Sequence, residues 1–294
     1  MESVESIFSR YEYVRPRMPT ASFEADTRNI ASLLDITEEI DAFVFDAFGV
    51  LNVGEVPIPG AAARLDQLRA LGCAIRILSN AASYHHDRAV EKFRKLGIIV
   101  APEEIVTSRD ATLPALGPGR WGCIAAPSDD LSDVPAQTTR LLDNPADYAS
   151  VDAFLFLSTE IWTSERQKIL QQALEQRPRP VMIANADLVA PREGGFTLEP
   201  GHFGHLLVDR GIPNVRFFGK PFPEVYEIVE TSLPGVPVER IAMCGDTLHT
   251  DILGAAARGW RTVLVSRDGL FSGEDVPTYC LSSNIRPTWH LSRI

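Results

Sequence analysis

The 294-residue sequence predicts an α/β fold, a doubly wound parallel sheet with a second, smaller α/β unit inserted into it. Three observations lead there. From residue 42, short apolar runs alternate with amphipathic stretches; in the middle third that rhythm gives way to strand-like segments set among loops rich in Pro, Asp, Ser and Thr; and at residue 215 it resumes.

The first 35 residues mix aromatic and charged side chains (Phe8, Tyr11, Tyr13, Arg15, Arg17) without a clear period, and read as an extension leading into a helix near Asn29 to Leu34. AFVF at 42–45 and CAIRIL at 73–78 are apolar enough for strands buried on both faces, and each is followed by a helical pattern, Gly60 to Leu71 and Tyr84 to Leu96. Strand-like segments at 122–126, 152–157 and 181–184 and an amphipathic helix from Ser164 to Gln176 fill the middle. VRFF at 215–218, a helix from Glu224 to Ser232, IAMC at 241–244, a helix from Thr250 to Ala257 and TVLV at 262–265 complete the main sheet. The expected division is therefore an extension at 1–35, a discontinuous core at 36–107 and 215–294, and an insertion at 108–214. The insertion's apolar strands could also pair two copies into a homodimer.

A hydrophobic content of 45% over this length supports a large core. The formal charge of −11 argues against a general grip on nucleic acid or on an anionic membrane, though it leaves room for a local cationic pocket. Cys73, Cys123, Cys244 and Cys280 lie far apart with no CxxC spacing, as free thiols in a reducing compartment would. Glu2, Glu5 and Arg10 stand where a secretory signal needs apolar residues, and no segment reaches membrane-span length, so a cytoplasmic location is expected.

In open parallel sheets ligands bind beyond the carboxyl ends of the strands. The polar residues expected there are Asp46, Ser79 with Asn80, Lys220, and Asp246. A strand-end carboxylate such as Asp46 can attack phosphorus to give an aspartyl-phosphate when nearby charge is offset. Asp46 and Asp246 suit Mg²⁺, which takes oxygen ligands and few protein carboxylates; Mn²⁺ meets the same preference. Asp251, five residues on, is placed to support the metal or to orient Lys220. Ser79 and Asn80 can donate to phosphoryl oxygens, and Lys220 adds positive charge. Each has a plainer reading taken alone, since an Asp after a strand is usually a cap and a lone Lys is usually solvated. Order and strand-end placement together favour the chemical one.

The segments FVFDAFGVLNVG (43–54), ILSNAAS (77–83), FGKPFPEVY (218–226) and MCGDTLHTDILGAAARG (243–259) resemble the four ordered motifs of the haloacid dehalogenase superfamily. The likeness is nearest to its class IIA branch of nitrophenylphosphatase-like sugar and nucleotide phosphatases, and spans roughly residues 40 to 275. It implies a Rossmann-like core, a C2-type cap at about 108–214, and a magnesium-dependent hydrolase acting on a small phosphorylated metabolite. By this resemblance Asp46 is the nucleophile, Ser79 and Asn80 clamp the phosphate, Lys220 stabilises charge, and Asp246 binds Mg²⁺ with support from Asp251. The backbone carbonyl of Phe48 is implied as a further metal ligand. NADLVAPREGG (185–195) is similar to a cap segment of the branch, which makes Asn185 and Asp187 substrate-facing; Arg192, His202 and His205 are further cap candidates.

One position departs from the pattern. Phosphatases of this superfamily carry a second Asp two residues after the nucleophile as general acid and base, and here that position is Phe48. An aromatic ring moves no proton, and a positioned acid or base is typically worth about 10²–10⁴ in rate. Either another group takes that work, with His85, His249 and the cap residues as candidates, or turnover is weak and the protein binds a phosphometabolite. DAFGVL also resembles the first motif of metal-free haloacid dehalogenases, whose fourth motif lacks the Gly245, Asp246, Asp251 set present here.

Overall fold

The computed structural model describes residues 3–24, 26–192 and 195–294. A seven-stranded, all-parallel sheet runs in the spatial order Arg28–Asn29, Trp289–Leu291, Arg261–Val265, Ile241–Gly245, Ala42–Phe45, Ala74–Ser79, Ile105–Thr107. Ala42–Phe45, next to the middle strand Ile241–Gly245, is four apolar residues with no exposed face, as a strand covered by helices on both sides requires. From it the chain winds outward through 74–79 to 105–107, whereas 241–245 lies on its other flank and leads outward through 261–265. The order reverses at this central pair, and such a reversal opens a crevice at the strands' carboxyl ends.

A second, five-stranded parallel sheet is built from Val215–Phe217, Val181–Ile183, Ala153–Phe156, Arg120–Ile124 and Gln137–Arg140, in that order. Its helix Ser164–Gln176 starts where Thr163 accepts from the Arg166 N–H, and buries Gln167, Leu170, Gln171 and Leu174 at helical spacing. Two hairpins, Asn52–Val53 with Val56–Pro57 and Val189–Arg192 with Gly195–Leu198, complete the strands.

Three expectations need correction. Val215–Phe217 was expected to reopen the main sheet, yet it pairs with Val181–Ile183 at the edge of the smaller one. The run VRFF is too short for periodicity to say which sheet receives it. Asn29 to Leu34 is not a helix: Arg28–Asn29 is the outermost strand of the main sheet and Leu33–Ile36 a 3₁₀ turn, with Ser32 capping the Leu34 N–H. The fourth-motif helix begins with a π turn at Leu248–Ile252 and continues as α-helix over Leu253–Ala257. Within the extension itself, Val4–Val14 is a helix whose Ile7, Tyr11 and Val14 are buried against Leu188, Leu248, Ile252 and Leu253. All four cysteines are unpaired, three of them buried. Among the described residues no helix is long and apolar enough to cross a membrane.

Candidate active site

Asp46 follows the strand Ala42–Phe45, and its Oδ1 lies 2.6 Å from Lys220 Nζ, which also sits 2.7 Å from Asp251 Oδ1. Lys220 and Asp251 are wholly buried. Burial opposes the Lys220 charge, but Asp251, Asp46 and Asp187 around it outweigh that and hold its ammonium above the usual value. Lys220 does not arrive on a strand of the main sheet, as expected. The chain leaves the edge of the smaller sheet at Phe217 and turns back across the crevice, where Asn80 fixes it: the Lys220 N–H donates to Asn80 Oδ1 at 2.6 Å and Asn80 Nδ2 donates to the Lys220 carbonyl at 2.9 Å.

Asn80 therefore differs from its expected role. Its second amide hydrogen goes to Asp187 Oδ1 at 2.8 Å, so both donors are spent on joining Lys220 to the segment at 185–188. Ser79 Oγ accepts from the Ala81 N–H at 3.2 Å, and Ser79 lines the cleft. Asn185 makes an Asx turn, its Oδ1 accepting from the Asp187 N–H at 2.9 Å while its Nδ2 donates to Glu199 Oε2 at 3.2 Å.

Asp246 follows Ile241–Gly245, its Oδ1 receiving the Thr247 hydroxyl at 3.0 Å and its Oδ2 the Leu270 N–H at 2.7 Å. The π turn brings Asp251 back so that its Oδ2 accepts from the Thr247 N–H at 3.1 Å. Gly49 is held at φ +76°, and a Cβ there would meet Asp246 Oδ2 at 2.6 Å, so only glycine lets the first-motif loop approach this carboxylate.

Carboxylate oxygens of Asp46, Asp246 and Asp251 come within 4.8 Å of one another. Burial, together with the charge of neighbouring carboxylates, Asp251 for both and Asp46 for Asp246, pushes the Asp46 and Asp246 carboxyls above their ordinary range, and the Lys220 ammonium lies between Asp46 and Asp251. An all-oxygen donor set carrying more negative charge than its buried lysine offsets fits a hard divalent cation.

These groups open into a cleft of about 730 Å³ between the two sheets, lined by Asp46, Phe48, Ser79, Asn80, Asn185, Asp187 and Asp246 among others. Burial first, then the Asp46 charge, holds the Asp187 carboxyl well above the carboxylate range. The four histidines considered from sequence lie outside the cleft lining, His202 meeting Phe203 edge to face with centroids 5.2 Å apart. His85 faces Asp129 and Asp130, at 3.2 and 3.0 Å; His249 sits 2.6 Å from Glu12; and His205 stacks on Phe217 with centroids 4.3 Å apart. Arg192 does line the cleft, opposite Gly195 in its hairpin. Sequence reasoning missed Lys92, which lines the cleft with its Nζ 4.2 Å from the centroid of the Phe48 ring. At a helical position among other charges it carried no signal that set it apart from a solvated surface.

Residues 43–120 match the family model described as haloacid dehalogenase-like hydrolase, and residues 217–293 one described as HAD-hydrolase-like, together just over half of the chain. An acid sugar phosphatase of Staphylococcus aureus is 26% identical over 256 residues, 86% of this chain and 94% of that protein. A possible sugar phosphatase from Cytophaga hutchinsonii superposes with a TM-score of 0.78 at 24% identity, covering 90% of this chain and 98% of its own. The glycerol phosphate phosphatase of Mycobacterium tuberculosis, solved in complex with calcium, gives 0.67 at 22%, covering 87% and 74%. The matches cover the first- and second-motif half and the third- and fourth-motif half of the sequence, and the fold agrees: the chain belongs to the haloacid dehalogenase superfamily of hydrolases.

Proposed function

We propose that this protein is a phosphatase of the class IIA branch, hydrolysing a small phosphorylated metabolite through an aspartyl-phosphate on Asp46. The observation that carries the reading is the Lys220 ammonium bound between Asp46 and Asp251 beside Asp246, at the crevice where the strand order reverses. Sugar phosphates are the substrate class to which the relatives' names point. In this reading the smaller unit, expected at 108–214 and extended by the strand Val215–Phe217, is the cap, and Asn185 and Asp187 are its substrate-facing residues.

Asp46 attacks phosphorus as the bond to the leaving oxygen breaks, and water then hydrolyses the acyl phosphate to regenerate the carboxylate. Lys220 offsets the charge of Asp46 as the phosphoryl group arrives, and the Ser79 hydroxyl donates to a phosphoryl oxygen. Asp46, the Phe48 carbonyl and Asp246 would hold Mg²⁺, or Mn²⁺, with Asp251 in support. Such an ion would supply charge neutralisation at the phosphoryl oxygens. Phe48 has no proton to give, so Asp187, whose burial favours the neutral acid, protonates the leaving oxygen and later takes the proton of the attacking water. Four unpaired thiols suit a reducing compartment, and we place the activity in the cytoplasm.

The test is phosphate release from a panel of esters with good and poor leaving groups, with Mg²⁺ and with chelator. Metal-dependent release that falls below about a thousandth in Asp46→Asn supports the assignment. Undiminished turnover in Asp46→Asn removes the nucleophile, and an unaltered metal response in Asp246→Ala removes the ligand. Metal-independent halide release from 2-haloacids would point instead to dehalogenation.

A further inference from the structure

Phe48 is more than a missing acid: two cations lie over its ring. Lys92 Nζ is 4.2 Å and Arg192 Cζ 5.1 Å from the ring centroid. One comes from the helix His86–Lys95 and the other from the hairpin Val189–Arg192, so elements of both units converge on the same side chain. All three residues line the cleft that holds Asp46.

The neighbours of Lys92 on its helix behave as ordinary surface cations. Arg94 and Lys95 are exposed and pair with Glu91 at 2.5 and 3.8 Å. Lys92 is half-buried and, among the described residues, has no hydrogen bond or ion pair from its ammonium. Among the described residues Arg192 has one ion-pair partner, Glu199 Oε1 at 3.7 Å, outside hydrogen-bonding range. The Glu199 oxygens are already served by the Thr197 hydroxyl at 2.9 Å and Asn185 Nδ2 at 3.2 Å. An aromatic face attracts a cation through its quadrupole and supplies no lone-pair acceptor, so the ammonium and guanidinium hydrogens that point away from the ring remain available to an acceptor.

We propose that Lys92 and Arg192, held over Phe48, form a second anion subsite that selects phosphate esters bearing a carboxylate on the leaving-group side, such as phosphorylated hydroxy acids or sugar acids. This rests on the phosphatase reading above, in which the side chain two residues beyond Asp46 faces the leaving group. A carboxylate offers two oxygens to two cationic donors. Glu55 and Glu199 line the same cleft, and their charge disfavours a second phosphate dianion more than a monoanion. It also gives Phe48 a positive role: a carboxylate in its place would occupy both cations and leave the substrate nothing to bind.

The test compares ω-phosphorylated hydroxy acids of three and four carbons with the alcohol phosphates of matching length. Binding to Asp46→Asn protein in Mg²⁺ is measured by calorimetry, and turnover in the wild type. At one chain length or more the carboxylate compound is expected to bind at least about tenfold more tightly, the scale of one added charge-assisted contact. That ratio is expected to fall toward one when Lys92→Met or Arg192→Met is added to the Asp46→Asn background, with a thermal melt confirming that each variant folds. Equal affinities at both lengths, or a preference that survives both substitutions, overturns the subsite. A matching bisphosphate that binds more tightly than the carboxylate compound overturns the choice of anion. Wild-type protein that releases no phosphate from any of these esters refutes the phosphatase reading, while the binding ratio still decides the subsite.

Discussion

At position 48 the surroundings decide what restoring a carboxylate would do. An acid placed there would stand within reach of Lys92 and Arg192, and paired cations favour the ionised form, which cannot donate a proton. Phe48→Asp alone is therefore expected to raise kcat/KM for alkyl phosphates by less than about tenfold, short of the 10²–10⁴ typical of a positioned acid. Phe48→Asp combined with Lys92→Met is expected to gain more, specifically for poor leaving groups. Comparing alkyl with nitrophenyl esters in both proteins checks this; a full gain in the single variant would show that the cations do not control the site. Asp46, Lys220 and Asp246 were legible because each follows a distinct apolar run, and Asp251 because it lies five residues beyond Asp246. Lys92 was not, because nothing in a helix of charged residues marks which one faces a ring two elements away.

Among the elements, the N-terminal helix Val4–Val14 was the least legible and ties the most together. Tyr11 stacks on His249 of the fourth motif, with centroids 5.0 Å apart, and its hydroxyl accepts from the Leu188 N–H at 3.1 Å. Leu188 follows Asp187, so one side chain bridges the π turn that carries Asp251 and the segment that reaches into the cleft. Short contacts of this kind across 177 residues leave no local pattern. By contrast Ser164–Gln176 announced itself through cap, first-turn acid and buried stripe, all local. Tyr11→Phe keeps the packing and removes the acceptor, leaving a buried N–H unpaired at a cost of about 1–3 kcal/mol. Equilibrium denaturation measures it, and a variant as stable as the parent would mean that the N–H finds another partner.

Across the whole molecule, the expectation of two sheets held because the apolar runs are long enough to count, while the assignment of Val215–Phe217 failed because three residues cannot state their partners. The N-terminal segment joins the rest of the molecule through the apolar cluster around Tyr11 and through ion pairs to the smaller unit. Arg10 and Arg17 reach Asp209 at 2.6 and 2.5 Å, and Arg17 lies 3.2 Å from His205 Nδ1. His205 is fully buried at this junction, and burial, then Arg17 and Arg10, pull its imidazole down to about 3. In the unfolded chain it titrates near the ordinary value of about 6.5, so below that pH the unfolded state binds the extra proton. The native state is thus fully favoured above about pH 6.5 and loses about 1.4 kcal/mol per unit as pH falls from there toward 3. His205→Asn supplies a comparable acceptor that does not titrate. Its stability, referred to its own value at pH 7.5, is expected to decline less steeply between about pH 6.5 and 4.5. Denaturant titrations across that range decide the matter, since parallel acid limbs in variant and parent would place the proton uptake on carboxylates rather than on this buried ring.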